Sequence, residues 1–358
     1  MEVDKPKKMY GGKESSRDFS LTFIQVICAI SVVTLHTNGC FWSFSATERY
    51  WFTANIIECV FYFAVPIFFM ITGITLLDYQ DRYSTRDYFK KRADKTLIPY
   101  VTWSMIGVVF LLKTHRITPE TVTIKWVLNG LLSTNGIINL YWFFQPLFCV
   151  YLCIPLFAAV DHKKKMTTAK YLLWMGFIIN ILIPFLNNVL HLGIAWPYSV
   201  AVISGYLFWT WGGYYVYNNP PTRKQKGNAY ALAVVGLLSH IVGTYKLSIS
   251  AGSIQTIYKG YNNVPCVLYT FGVFIFLKDI AKKVEKIDWL RKLFDIMGKY
   301  TFPVYLIHWF VLRIMNDLIS INTKSIFYRL LMPYVIYGVI MMFVWCLRKV
   351  PGLRKIVP

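Results

Sequence analysis

The sequence predicts an all-α, polytopic membrane bundle of about ten transmembrane helices with both termini in the cytoplasm. Three observations carry that prediction. Continuous apolar stretches of spanning length recur from about Phe19 to about Cys346, without the alternation of strands. Hydrophobic residues make up 56% and charged residues 15% of the 358, against about 45–50% and about 25% in soluble domains. Finally, 29 of the 38 Lys and Arg residues fall in every second gap between the stretches. Cytoplasmic loops carry the Lys and Arg excess, so this alternation orients the helices as well as separating them.

The first stretch, 19–40, follows a charged segment, 1–18, holding Lys5, Lys7, Lys8, Lys13 and Arg17. That segment lacks the apolar h-region of a secretory signal, so no cleavage is expected. The second stretch, 54–77, leads into Arg82, Arg86, Lys90, Lys91, Arg92 and Lys95. The third and fourth, 96–113 and 137–159, are followed by Lys163, Lys164 and Lys165. The fifth and sixth, 170–190 and 198–217, end at Arg223, Lys224 and Lys226. The seventh, 229–246, and a short eighth, 263–278, precede seven basic residues from Lys278 to Lys299. The ninth and tenth are 301–319 and 327–347. A span takes about 20 mostly apolar residues, so ten leave only short loops. The chain therefore divides into a cytoplasmic segment 1–18, a membrane domain 19–347 and a basic cytoplasmic tail 348–358. Pro66, Pro146, Pro155 and Pro184 are expected to kink their helices. Trp42, Trp51, Trp103, Trp126, Trp142, Trp196 and Trp211 fall near span boundaries, as an interfacial belt does.

The formal charge of +21 raises a nucleic-acid reading, but a phosphate-binding surface gathers its charge on one face or helix. Here the charge is divided among loops that membrane orientation already explains, so no nucleic-acid partner is expected. The seven cysteines sit mostly inside apolar runs without paired Cys-x-x-Cys spacing. That argues against zinc and against a disulfide framework, so no metal is expected and Cys40 and Cys59 are expected to stay unpaired. No Walker loop, Rossmann fingerprint, HExxH or GxSxG motif occurs, and no internal repeat.

An ionisable side chain at the centre of a span costs at least about 2.5 kcal/mol, so each one is a functional candidate. His36, Glu58, His240 and His308 stand out. His36 falls toward the outer end of the first span and Glu58 near the outer start of the second. Two readings of this pair stay open. Glu58 accepts from one ring nitrogen of His36 and leaves the other as a base, or both groups simply meet water at the interface. His308 closes the run MGKYTFPVYLIH and falls roughly 10–12 Å into its span. It is either a functional group or a buried histidine bonded to backbone or Tyr305. His240 is expected to be structural, and His115, His162 and His191 fall in loops. Arg92 and Lys95, three apart, share a helix face at a cytoplasmic entry. They are phosphate ligands or ordinary positive-inside charge.

At these same residues the chain resembles acyltransferase family 3, integral membrane O-acyltransferases that modify bacterial surface glycans. Five stretches match in order: SVVTLH ending at His36, AVPIFFMITGITLL (64–77), YFKKRADKTLIPYVTW (88–103), YWFFQPLFCVYLCIPLF (141–157) and GKYTFPVYLIH ending at His308. GYLFWTWGGYYV (205–216) is similar to the family's glycine-containing sixth helix. The similarity covers about residues 17–347, and the second and fourth stretches look closest to stand-alone polysaccharide O-acetyltransferases.

The resemblance implies acetyl-CoA as acyl donor and, as acceptor, a hydroxyl of a cell-surface glycan or its lipid-linked precursor, in a multi-pass protein of the bacterial cytoplasmic membrane. It implies His36 as base, Arg92 with Lys95 in place of a second arginine as the cations beside the CoA nucleotide, and an open role for His308. One departure stands out: the family's arginine eleven residues before the helix 1 histidine is Gln25 here. Donor phosphates then fall to other cations, Arg17 among them, or catalysis is altered. Asn38 and Tyr305 are candidate donors to a developing oxyanion. Two alternatives remain beside the enzyme: a secondary transporter or flippase, and a non-catalytic membrane partner on the same fold. The oligomeric state is not legible.

Overall fold

A computed structural model describes residues 18–318 and 321–358, and every regular element among them is helical. The N-terminal basic cluster, with Arg17, and the final residue of the expected span 301–319 lie outside the described residues. The described chain opens with α1 (Phe19–Thr37), whose first turn is capped by the Asp18 carboxylate accepting from the Ser20 amide. A second run, Arg49–Asp81, holds α2 (Arg49–Phe61) and α3 (Ala64–Leu76). The third, Thr85–Lys113, comprises α4 (Thr85–Arg92), a π-helical turn Ala93–Leu97 and α5 (Ile98–Lys113). After α6 (Ile124–Ser133), the fourth run, Asn139–Ala158, contains α7 (Phe144–Ala158). The fifth, His162–Val189, joins α8 (His162–Met175) through a π-helical turn to α9 (Ile183–Val189). Next come α10 (Tyr206–Asn218), α11 (Arg223–Ala251) and α12 (Val264–Val284). Then α13 (Asp288–Met297), α14 (Thr301–Leu318) and α15 (Ile326–Leu347) complete the bundle.

Among the described residues, eight runs are long and apolar enough to cross a membrane: the five composite or single runs ending at Val189, then α11, α12 and α15. They fall on eight of the expected spans. The other two, 198–217 and 301–319, are also helical but differ in kind: α10 has only 13 residues, and α14, with 18, carries His308, Arg313 and Asp317. Neither α6 nor α13 was expected; their positions read as loops because each alternates apolar and polar residues over only 10 positions. Three of the four expected prolines, Pro66, Pro146 and Pro184, lie in the first turn of a helix, and one lies inside. Pro66 cannot donate to Tyr62, and the helix breaks at Tyr62–Phe63 just before α3. Pro184 sits at the start of α9 behind a π-helical turn, whereas Pro155 lies inside α7.

The aromatic belt needs correction. Trp51 and Trp211 are wholly buried and Trp103 nearly so. The indole N–H of Trp51 donates to Phe41 O at 2.9 Å, and that of Trp103 to Ile356 O at 2.8 Å. These rings pack against neighbouring elements. All seven cysteines are free, Cys40 and Cys59 included.

In lipid, helices associate by close packing, not by expulsion of water. α1 lies at the centre, packed against α2, α3, α12, α13, α14 and α15. The tightest crossing is between α3 and α10, where a Cβ on Gly73 would stand 1.8 Å from Thr210 O and one on Gly213 2.2 Å from Met70 O. Backbone meets backbone there, which explains Gly213, while its neighbour Gly212 makes room for the Phe271 ring of α12. Gly73→Val should force the helices apart and cost at least about 1–3 kcal/mol, read as a lowered thermal midpoint of the detergent-solubilised protein. Gly227→Ala, inside α11 with open space at its Cβ, should keep that midpoint or raise it slightly.

Candidate active site

α1 presents Gln25, Val32 and His36 to one cavity of about 940 Å³. Their spacing of seven and four puts them on one face of the helix, and the eleven residues from Gln25 to His36 span about three turns, or about 16 Å. The cavity therefore runs along α1. Near the start of α1 its wall carries four cations: Arg92, Lys95, Lys299 and Arg348. Gly298 packs on Thr22 there, and the Arg348 guanidinium donates to Lys299 O at 2.9 Å and to Pro358 O at 3.0 Å. Toward the other end of α1 the wall carries Trp42, Glu58, Tyr62, Lys259 and Tyr261.

Arg92 and Lys95 were expected to share the face of a regular helix. They instead flank the start of a π-helical turn, because Pro99 has no N–H for the carbonyl of Lys95. The extra residue in the turn still leaves both side chains on the cavity, and such bulges recur at functional sites. The Arg92 guanidinium lies 5.5 Å from the Tyr151 ring and 5.9 Å from the Tyr88 ring. Its Nε is buried and has no hydrogen-bond partner among the described residues.

The chemistry centres on two histidines. His36 Nδ1 lies 2.8 Å from His308 Nε2. The rings meet edge to edge, their planes 19° apart and centroids 4.9 Å apart. His308 Nδ1 faces the carbonyl oxygens of Tyr305 at 2.7 Å and Val304 at 3.0 Å. Carbonyls only accept, so His308 Nδ1 carries a proton. A second proton on His308 Nε2 would leave a fully buried imidazolium facing only carbonyls and another imidazole, at a large cost. The shared proton therefore belongs to His36 Nδ1, and His36 Nε2 keeps its lone pair. His36 lines the cavity and His308 does not. The arrangement offers the cavity one oriented base.

Glu58 does not orient His36, contrary to the first of the two readings. Its carboxylate lies 3.1 Å from Lys259 Nζ and 3.4 Å from Asn38 Nδ2, and Glu58 and Lys259 are only 4% and 5% exposed. Asn38, expected near an oxyanion, is wholly buried and committed: it donates to Ala54 O at 2.9 Å and accepts from Arg329 at 3.3 Å. Tyr305 lines the cavity, but its hydroxyl donates to Leu140 O at 2.7 Å. Asn139 is better placed as a donor. The Trp309 indole N–H, which can only donate, fixes the Asn139 carboxamide oxygen at 3.1 Å. The Asn139 N–H2 then has no partner among the described residues, and the residue lines the same cavity. His240 is buried against Tyr62, ring centroids 5.2 Å apart, and stands outside the cavity wall.

Sequence reasoning passed over Lys259, Asn139, Lys299 and Arg348 as site residues. Lys299 and Arg348 belong to basic clusters that the positive-inside reading already accounted for. Arg329, wholly buried within a span and bonded to Asn38 and Thr53, carried a legible signal, since an arginine inside an apolar run needs a partner.

The sequence profile of acyltransferase family 3, described as an acyltransferase domain, matches residues 18–349. No curated protein and no solved structure matches the chain significantly. Removing one member of the buried pair strands the other charge. Glu58→Ala should therefore destabilise the protein by about 3–5 kcal/mol, while Glu58→Gln combined with Lys259→Met should recover most of that loss. Thermal unfolding of the three purified proteins reads the difference.

Proposed function

The chain belongs to acyltransferase family 3 and is a membrane acyltransferase; from that premise we propose that it transfers an acetyl group from acetyl-CoA to a hydroxyl of a cell-surface glycan or its lipid-linked precursor, in the cytoplasmic membrane of a bacterium. The observation that carries the reading is the single cavity that joins a basic mouth at Arg92 and Lys95 to the oriented base His36. A donor with an anionic nucleotide at one end and a reactive thioester on a long thin arm suits that shape. Cytoplasmic termini would open the basic mouth to the compartment that holds acyl-CoA.

In this reading Arg92, Lys95 and Lys299 hold the phosphates. Arg92 is half-buried, so its charge is worth more than in water, while Lys95 and Lys299 are exposed and add to it. His36 Nε2 takes the proton of the acceptor hydroxyl as its oxygen bonds to the thioester carbonyl carbon. The carbon–sulfur bond breaks, and His36 returns that proton to the departing sulfur. His308 holds the His36 ring and stabilises its cationic form by accepting from Nδ1. Asn139 donates to the carbonyl oxygen as negative charge develops there. Gln25 lies on the donor path where the family carries an arginine, which lowers the charge midway and leaves phosphate binding to the mouth.

The Gln25 position is also what favours a non-catalytic relative on the same fold, and one assay separates the two. Purified protein in nanodiscs should release CoA from acetyl-CoA. His36→Ala should lower the rate by about 10²–10⁴-fold, and Arg92→Ala should raise the acetyl-CoA KM by about 10–100-fold with little change in kcat. Acetyl-CoA that neither binds nor turns over would exclude the acetyltransferase reading.

A further inference from the structure

The Glu58–Lys259 pair does more than join α2 to the segment before α12. Both groups are nearly buried, yet both stand on the cavity wall. Beside them Tyr62 and Tyr261 stack with centroids 4.2 Å apart and planes 8° apart, and Trp142 continues the row 5.8 Å beyond Tyr261. Lys259 Nζ lies 4.1 Å from the Tyr62 ring and 4.8 Å from the Trp42 ring. The cavity thus ends, away from its basic mouth, in a wall of rings with one carboxylate and one ammonium set into it.

We propose that this wall is the acceptor subsite, and that it takes a neutral pyranose ring whose adjacent hydroxyls bridge Glu58 and Lys259. The proposal rests on the acetyl-transfer reading for its place in the reaction, but not for its chemistry. A carboxylate only accepts and an ammonium only donates, so neighbouring hydroxyls, one donating and one accepting, satisfy both at once. The pair sums to zero charge. Because the two groups are only 3.1 Å apart, a uronate that reached Lys259 would also lie against Glu58, and an amino sugar that reached Glu58 would lie against Lys259, so a neutral ring fits best. The apolar face of such a ring covers exposed aromatic surface, which Trp42, 60% exposed on this wall, offers beside the closed Trp142–Tyr261–Tyr62 row. A charge pair placed in an apolar bundle at considerable desolvation cost is best accounted for by use. The subsite is also close to the base: Asn38, two residues beyond His36, touches Glu58 directly.

Binding can be measured without any acyl transfer. Saturation-transfer NMR on the nanodisc protein would titrate methyl glucoside and methyl glucuronide against wild type and the Glu58→Gln/Lys259→Met double variant. CoA binding, measured on the same samples, reports that the variant is folded. Wild type should bind the glucoside at least about tenfold more tightly than the glucuronide, and the double variant should lose at least about tenfold in glucoside affinity while keeping its CoA affinity; about tenfold is what one charge-assisted hydrogen bond carries. Equal binding of the two glycosides, no binding of either, or a double variant that binds the glucoside as wild type does would overturn the subsite. Glucoside binding that survives in a protein unable to turn over acetyl-CoA would leave the subsite standing and remove the transfer reading instead.

Discussion

Polar side chains inside an apolar helical bundle must find partners within the protein, because no water is there to receive them. In this chain α1 is where that demand is met. His36 is bonded to His308 on α14, and Asn38 touches Glu58 on α2, accepts from Arg329 on α15 and donates to Ala54 O. The same bonds that hold three helices around α1 fix the tautomer of His36 and the position of the carboxylate beyond it. Packing and chemistry are thus one network, and the cavity is the space that the network leaves along one face of α1.

Much of the fold was legible in the sequence for a physical reason. Spanning length and apolarity are properties of single helices, so the stretches and their order survive assembly. The residues His36, Arg92, Lys95 and His308 were legible too, because an ionisable group in or beside a span calls for explanation. What the sequence could not supply was who meets whom. Glu58 reads as lying near His36 at neighbouring helix ends and was a reasonable partner for it, yet the separation of 272 positions from His36 to His308 is closed by tertiary packing alone. Lys259 lies in a segment that reads as an outer loop, and only its return to the bundle makes it the counter-ion of Glu58.

Other differences have equally local causes. The π-helical turn at Ala93–Leu97 follows from Pro99, a residue legible in the sequence whose effect is a shift in helical register. Trp51 and Trp103 read as boundary anchors because they fall near span ends; their indole N–H groups are taken by the backbone carbonyls of Phe41 and Ile356. Arg329 escaped notice inside an otherwise apolar span although its burial required the acceptors it now has in Asn38 and Thr53.

The central claim is that one donor molecule reaches from the cation cluster near the start of α1 to His36 near its end. A structure of the protein in nanodiscs with a non-hydrolysable acetyl-CoA analogue tests this most directly. The account predicts phosphate density against Arg92, Lys95 and Lys299, with the thioester-equivalent carbonyl within hydrogen-bond reach of Asn139 and beside His36 Nε2. Phosphates bound elsewhere, or an acyl group ending far from His36, would contradict it.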